Sequence, residues 1–153
     1  MFKLRQLIKS DFCKKCFGCC RFKEKESIWI PKLLEEETYL LKIKKIKLEF
    51  KEEIFICSFL KIDSNLCKIY KKRPFECRLY PFLIESKNSN LFLSLHKGCP
   101  FIRNSLDSKS LQNYINYLNK FLKKSYYLSI LIKNKSIFSS YPQEETIKLN
   151  KLV

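Results

Sequence analysis

The sequence predicts an α+β fold: a small mixed domain of short β-strands and cysteine-rich loops, closed by a C-terminal amphipathic helix. Three observations carry that expectation. Apolar and charged residues alternate from Ile43 to Ile56, and a second apolar stretch covers Leu91–Leu95, as strands require. Leu111, Tyr114, Ile115, Leu118, Phe121 and Leu122 recur at helical spacing and form one apolar stripe. All eight cysteines fall before residue 100. A length of 153 residues fits a single domain, 1–153, with a cysteine region over 11–100 and a helical region over 105–133.

Residues 11–22 are too rich in turn signals for a regular element. Ser27–Ile30 is expected to be a short strand, and Pro31 then suits the first turn of a helix running to Leu41, with Glu35, Glu36 and Glu37 placed early, where the helix dipole favours acid. The alternation over 43–56 divides into two strands joined near Lys51-Glu52-Glu53. Residues 57–82 form a second cysteine region, interrupted by Pro74 and Pro81, and the strand at Leu91–Leu95 leads into Gly98-Cys99-Pro100. In the later helix Asn113, Asn116, Asn119, Lys120 and Lys123 oppose the apolar stripe, which is expected to dock on its own domain. The last fifteen or so residues are too weakly periodic to assign.

Composition excludes several classes. Apolar residues at 46% and aromatics at 14% argue against a disordered chain. No apolar run approaches the ~18 residues of a membrane span, and Met1–Lys9 mixes charge into every stretch, without an apolar signal core. The expectation is therefore a cytoplasmic protein whose reduced thiols serve metal or redox chemistry in preference to disulfides. The formal charge of +16 reads as a solvated lysine surface, since only five of 31 basic residues are arginine (Arg5, Arg21, Arg73, Arg78, Arg103). Nucleic acid is disfavoured as a partner on that ground. A protein partner stays open. Glycine occurs twice, each time immediately before a cysteine, as Gly18-Cys19 and Gly98-Cys99. Both are expected where the backbone takes a positive φ or approaches a neighbour closely. No G-x-G-x-x-G and no G-x-x-x-x-G-K-[ST] is present, which excludes the usual dinucleotide and P-loop sites.

The chemistry lies in the cysteines. Cys13-Lys14-Lys15-Cys16-Phe17-Gly18-Cys19-Cys20 is a C-x-x-C-x-x-C-C run, and Cys57, Cys67, Cys77 and Cys99 follow. Thiolates two residues apart can converge on one ion, because a tight turn aims both side chains inward. Three at this spacing, with a remote Cys-Pro such as Cys99-Pro100, also resemble a ligand pattern for a cubane iron–sulfur cluster. Eight sulfurs suffice for one or two metal centres. Adjacent Cys19 and Cys20 are expected to point apart and serve separate centres. Cys57 and Cys67 also read as buried apolar side chains.

Cys57-Ser58-Phe59-Leu60 and the stretch from Cys67 to Phe82 read C-x-F-L…C-x-I-Y-x-x-R-P-x-x-C-R-x-Y-P-F. With the upstream run, this resembles the YkgJ-like cysteine-cluster family, described as zinc- or iron-chelating. The resemblance spans roughly residues 12–100. It implies a metal centre using Cys13, Cys16, Cys19, Cys20, Cys57, Cys67, Cys77 and Cys99, holding zinc or an iron–sulfur cluster, with the cluster placed slightly ahead and a redox or electron-transfer role attached to it. Flagellin lysine N-methylases look like relatives, so an iron–sulfur-dependent methyltransferase is an alternative. A zinc-stapled nucleic-acid binder is another, and enzyme status stays open.

Around the motif, Arg73 and Arg78 are placed to offset thiolate charge or to donate to sulfur or backbone. Tyr70 and Tyr80 read first as packed rings with satisfied hydroxyls. His96 reads as a structural residue that can also replace a thiolate. Glu76 is a candidate proton acceptor beside Cys77.

Overall fold

The computed structural model describes residues 3–153, so Met1 and Phe2 of the N-terminal reading lie outside the described residues. The fold is α+β, with helices and three small antiparallel sheets. Two compact units divide it: residues 8–78, and residues 79–153 together with the segment up to Leu7.

The first unit is made of short pieces. Helix α1 (Ser10–Lys15) covers Cys13, correcting the expectation that residues 11–22 hold no regular element. Strand β1 (Arg21–Phe22), helix α2 (Glu35–Leu41), and strands β2 (Leu48–Lys51) and β3 (Ile54–Cys57) follow. β3 is the centre of a three-stranded sheet, paired with β1 on one side and β2 on the other. A two-stranded hairpin, β4 (Leu60–Lys61) with β5 (Leu66–Cys67), and helix α3 (Phe75–Leu79) complete the sequence of elements.

Ser27–Ile30 is not a strand: Ser27 Oγ accepts from Trp29 N–H at 3.3 Å and Ser27 carbonyl from Ile30 N–H at 3.1 Å. Local side-chain and turn bonds have taken the groups a strand would offer. The helix placed at Pro31 begins at Glu35 instead, because buried Glu37 reaches back to Leu34 N–H at 3.1 Å and fixes the cap there.

The β2–β3 hairpin has a two-residue loop, since Lys51 pairs with Ile54. Both loop residues, Glu52 (φ 50°) and Glu53 (φ 64°), lie in the left-handed region that a type I′ turn demands. Asn and Gly normally occupy these places, because a Cβ there costs roughly 1–2 kcal/mol. The double change Glu52→Asn, Glu53→Gly is expected to raise stability by about 1 kcal/mol or more, read from the denaturant midpoint. An unchanged or lowered midpoint would contradict it.

The second unit is more regular. Strands β6 (Phe82–Lys87), β7 (Asn90–His96) and β8 (Thr146–Lys151) form an antiparallel sheet with β7 in the middle. Leu91 and Leu93 on β7 are fully buried, and a register shift between Leu93 and Ser94 brings Ser94 into the interior as well. Pro100 opens helix α4 (Pro100–Arg103). Helix α5 (Lys109–Leu122) is capped by Ser108, whose Oγ accepts from Leu111 N–H at 3.2 Å. Every member of its apolar stripe is buried, and Tyr114 meets Phe82 of β6 with ring centroids 5.5 Å apart, so the helix docks on its own sheet. Helix α6 (Ser125–Lys133) follows. No helix among the described residues is long and apolar enough to cross a membrane.

Neither glycine has a positive φ; among the described residues those that do are Lys42, Glu52, Glu53, Asn65, Asn88 and Ser89. Gly98 answers to the other reason, close approach: a Cβ there would lie 2.6 Å from His96 Nε2.

Candidate metal centre

Four segments of the 8–78 unit deliver its thiols. Cys13 sits on α1, and Cys16 caps that helix, its N–H bonded to Cys13 carbonyl at 3.2 Å. The chain then turns so that Cys20 carbonyl accepts from Cys57 N–H at 3.0 Å, laying the end of the run beside β3. Cys57 closes β3 and Cys67 closes β5, opposite Leu60 of β4. Cys77 rides on α3, directly after Pro74, whose fixed φ and missing donor suit a helix start.

Cys19, Cys57, Cys67 and Cys77 share one electrostatic neighbourhood. Burial holds the Cys77 thiol well above its ordinary range, and negative charge on Cys19, Cys57, Cys67 and Glu76 would raise it further. Cys57 is raised first by burial, and by Cys67 and Cys19, against hydrogen bonds from the backbone amides of Phe59 and Leu60. Cys67 is raised by burial and by Cys19, and is opposed by the Ile69 amide and the charge of Arg73. Cys19, exposed to solvent, is raised above all by its hydrogen bond with Cys20. The side chains of these adjacent cysteines therefore meet, where the sequence suggested that they point apart.

The amides are informative about chemistry. Backbone N–H groups aimed at sulfur favour thiolate over thiol, and thiolate is the form that ligates a metal. Arg73 adds a fixed positive charge near Cys19 and Cys67, stacked 3.8 Å over the Tyr70 ring with its Nε donating to Tyr70 carbonyl at 3.1 Å. Among the described residues no group of three His, Cys, Asp or Glu already stands in metal-holding geometry. The donor chemistry is that of a soft or borderline cation: cysteine thiols with amide donors and a guanidinium that offset their charge.

The other residues singled out from sequence are placed as follows. Cys99 is buried at the head of α4, in the 79–153 unit. His96 lies in that unit too, its Nδ1 2.9 Å from Tyr80 Oη and its Nε2 3.8 Å from Glu145 Oε2. Glu76 is buried, its carboxyl pushed up to about 7 chiefly by burial, and its Oε2 accepts from Lys32 N–H at 2.6 Å. That bond gives it a structural task. Arg78 Nη2 stands 3.9 Å from Glu37 Oε1. Sequence reasoning read Glu37 only as an acid at a helix start and passed over Asn65. The polar turn Asp63-Ser64-Asn65 before Cys67 was the available sign of the second, since Asn is the residue that most readily replaces glycine at positive φ.

Thiols collected from four segments of one unit define a class, the cysteine-rich metal-chelating domain. A sequence model of the CxxCxxCC family, described as "Putative zinc- or iron-chelating domain", matches residues 12–100. The chain belongs to that family. Comparisons with curated proteins and with solved structures returned no match.

Proposed function

We propose that Cys19, Cys57, Cys67 and Cys77 form a four-thiolate centre that holds one zinc or iron ion, and that this centre organises residues 8–78. The observation that supports the reading is that these thiols act on one another's charge, with backbone amides at Phe59, Leu60 and Ile69 hydrogen-bonded to the sulfurs of Cys57 and Cys67. Supporting it, the strands of this unit are only two to four residues long. A core built on so little regular structure gains most from a bound ion. A reducing compartment such as the cytoplasm would keep the thiols available.

An iron–sulfur cluster with a redox role is the second reading, supported by the C-x-x-C-x-x-C spacing of Cys13, Cys16 and Cys19. Anaerobic purification with quantification of zinc, iron and acid-labile sulfide separates the two. The first reading expects about one ion per chain and no sulfide, with the ion lost in Cys57→Ala and Cys77→Ala. Stoichiometric sulfide would replace it by the cluster. A chain that takes up neither metal would overturn both.

A further inference from the structure

Asn65 touches both ends of the C-x-x-C-x-x-C-C run. Its Nδ2 donates toward the carbonyls of Cys13 at 3.2 Å, Lys14 at 2.8 Å and Cys16 at 2.7 Å. Its Oδ1 accepts from Nη1 of Arg21, the residue after Cys20, at 2.8 Å. The orientation of the amide follows from chemistry, since the reverse would set oxygen against three carbonyls and nitrogen against a guanidinium. The carbonyls of Cys13, Lys14 and Cys16 lie at the C-terminal end of α1, where the helix's own ladder runs out and the Cys13 carbonyl takes the N–H of the capping Cys16. Two amide hydrogens shared among three such acceptors bind the backbone of both cysteines of the first C-x-x-C.

Asn65 is itself held in place. It lies in the left-handed region (φ 50°), and its N–H is bonded to Ile62 carbonyl at 3.3 Å. It also stands two residues before Cys67, on the hairpin that continues from Cys57. One side chain therefore spans from the β4–β5 turn to the segment carrying Cys13, Cys16, Cys19 and Cys20.

We infer that Asn65 is a positioning residue for the metal centre: it registers the N-terminal cysteine run against the β4–β5 hairpin, which follows Cys57 and bears Cys67. The inference rests on the four-thiolate reading for its consequence in metal affinity. The tether itself is tested separately.

Two variants of the full chain test it. Asn65→Asp keeps the backbone conformation and an oxygen for Arg21, but turns a carboxylate toward the three carbonyls. Asn65→Gly keeps the backbone conformation and removes the amide. Asn88→Asp, at another left-handed asparagine in the second unit (φ 48°), is the control. The first readout is cobalt(II) titration against a competing chelator, following the thiolate-to-metal absorption. Loss of a group that orients ligands typically weakens metal binding about 10–100-fold, and that loss is expected in both Asn65 variants and not in the control. The second readout uses the metal-free chain: the rates at which Cys13 and Cys16 are alkylated, relative to Cys99, are expected to rise several-fold in both Asn65 variants. A variant that fails to fold, judged by circular dichroism, is set aside for the other, and failure of both with an intact control would show a purely structural residue and overturn the inference. Wild-type cobalt affinity, with unaltered spectrum and alkylation rates, would also overturn it. A wild-type chain that binds no cobalt, zinc or iron while Asn65→Asp still accelerates alkylation would sink the four-thiolate reading and leave the tether standing.

Discussion

Treating the metal-loaded chain with a strong chelator will abolish amide-exchange protection across residues 8–78, whereas residues 79–153 will keep theirs. The two units differ in what holds them. The first has helices of five to seven residues and strands of two to four. Isolated helices below ~12–15 residues are marginal in water, and a core of this size rarely supplies more than about 3–5 kcal/mol. A structural four-thiolate ion contributes roughly 10–16 kcal/mol of apparent binding energy. Removing it takes away the larger quantity. The second unit keeps a 14-residue helix and strands of six and seven residues around fully buried Leu91, Leu93, Leu118 and Leu122. Protection in 8–78 that survives chelation, with metal loss confirmed, would show that the ion does not organise the unit.

Replacing Glu37 by Leu is expected to cost about 3–5 kcal/mol in the metal-loaded chain, measured by denaturant unfolding. Glu37 is buried, and its two oxygens have separate tasks: Oε2 takes Leu34 N–H at 3.1 Å and Oε1 takes Phe75 N–H at 2.6 Å, with Arg78 Nη2 at 3.9 Å. Burial raises its pKa, opposed by those amides and by the guanidinium. The residue thereby joins the start of α2 to the start of α3, two residues before Cys77. Leucine fills the volume and withdraws both acceptors. Glu37→Gln keeps one oxygen and is expected to lose about half as much. A Leu variant within about 1 kcal/mol of the parent would mean that neither amide depends on the carboxylate.

Where a segment's structure is decided locally, the sequence shows it. Alternation marked β2, β3 and β7, and the stripe from Leu111 to Leu122 marked α5, because each writes its burial into its own spacing. Strand β8 escaped notice for the opposite reason. Ile147 and Leu149 alternate with polar residues too briefly to stand out, and the pairing partner is β7, some fifty residues upstream. The misplaced start of α2 is a third case: Lys32 N–H is taken by Glu76, a residue no helix rule at Pro31 could see. For the proposed metal centre the spacing marked the thiols as candidates and left their partition open. The run's spacing groups Cys13, Cys16 and Cys19, whereas the proposed centre takes Cys19 with Cys57, Cys67 and Cys77. That choice depends on hairpin register and on α3, neither of which is encoded in the distance between cysteines.

The late strand has a further consequence. Its continuation bonds Leu91 on both sides, with Leu91 N–H to Val153 carbonyl and Leu152 N–H to Leu91 carbonyl, each at 2.8 Å. A nascent chain that has not yet produced these residues presents β7 as an unsatisfied rim lined by leucine, a template onto which a neighbouring chain can add. Residues 146–153 thus cover a rim of β7 that would otherwise be open to another strand.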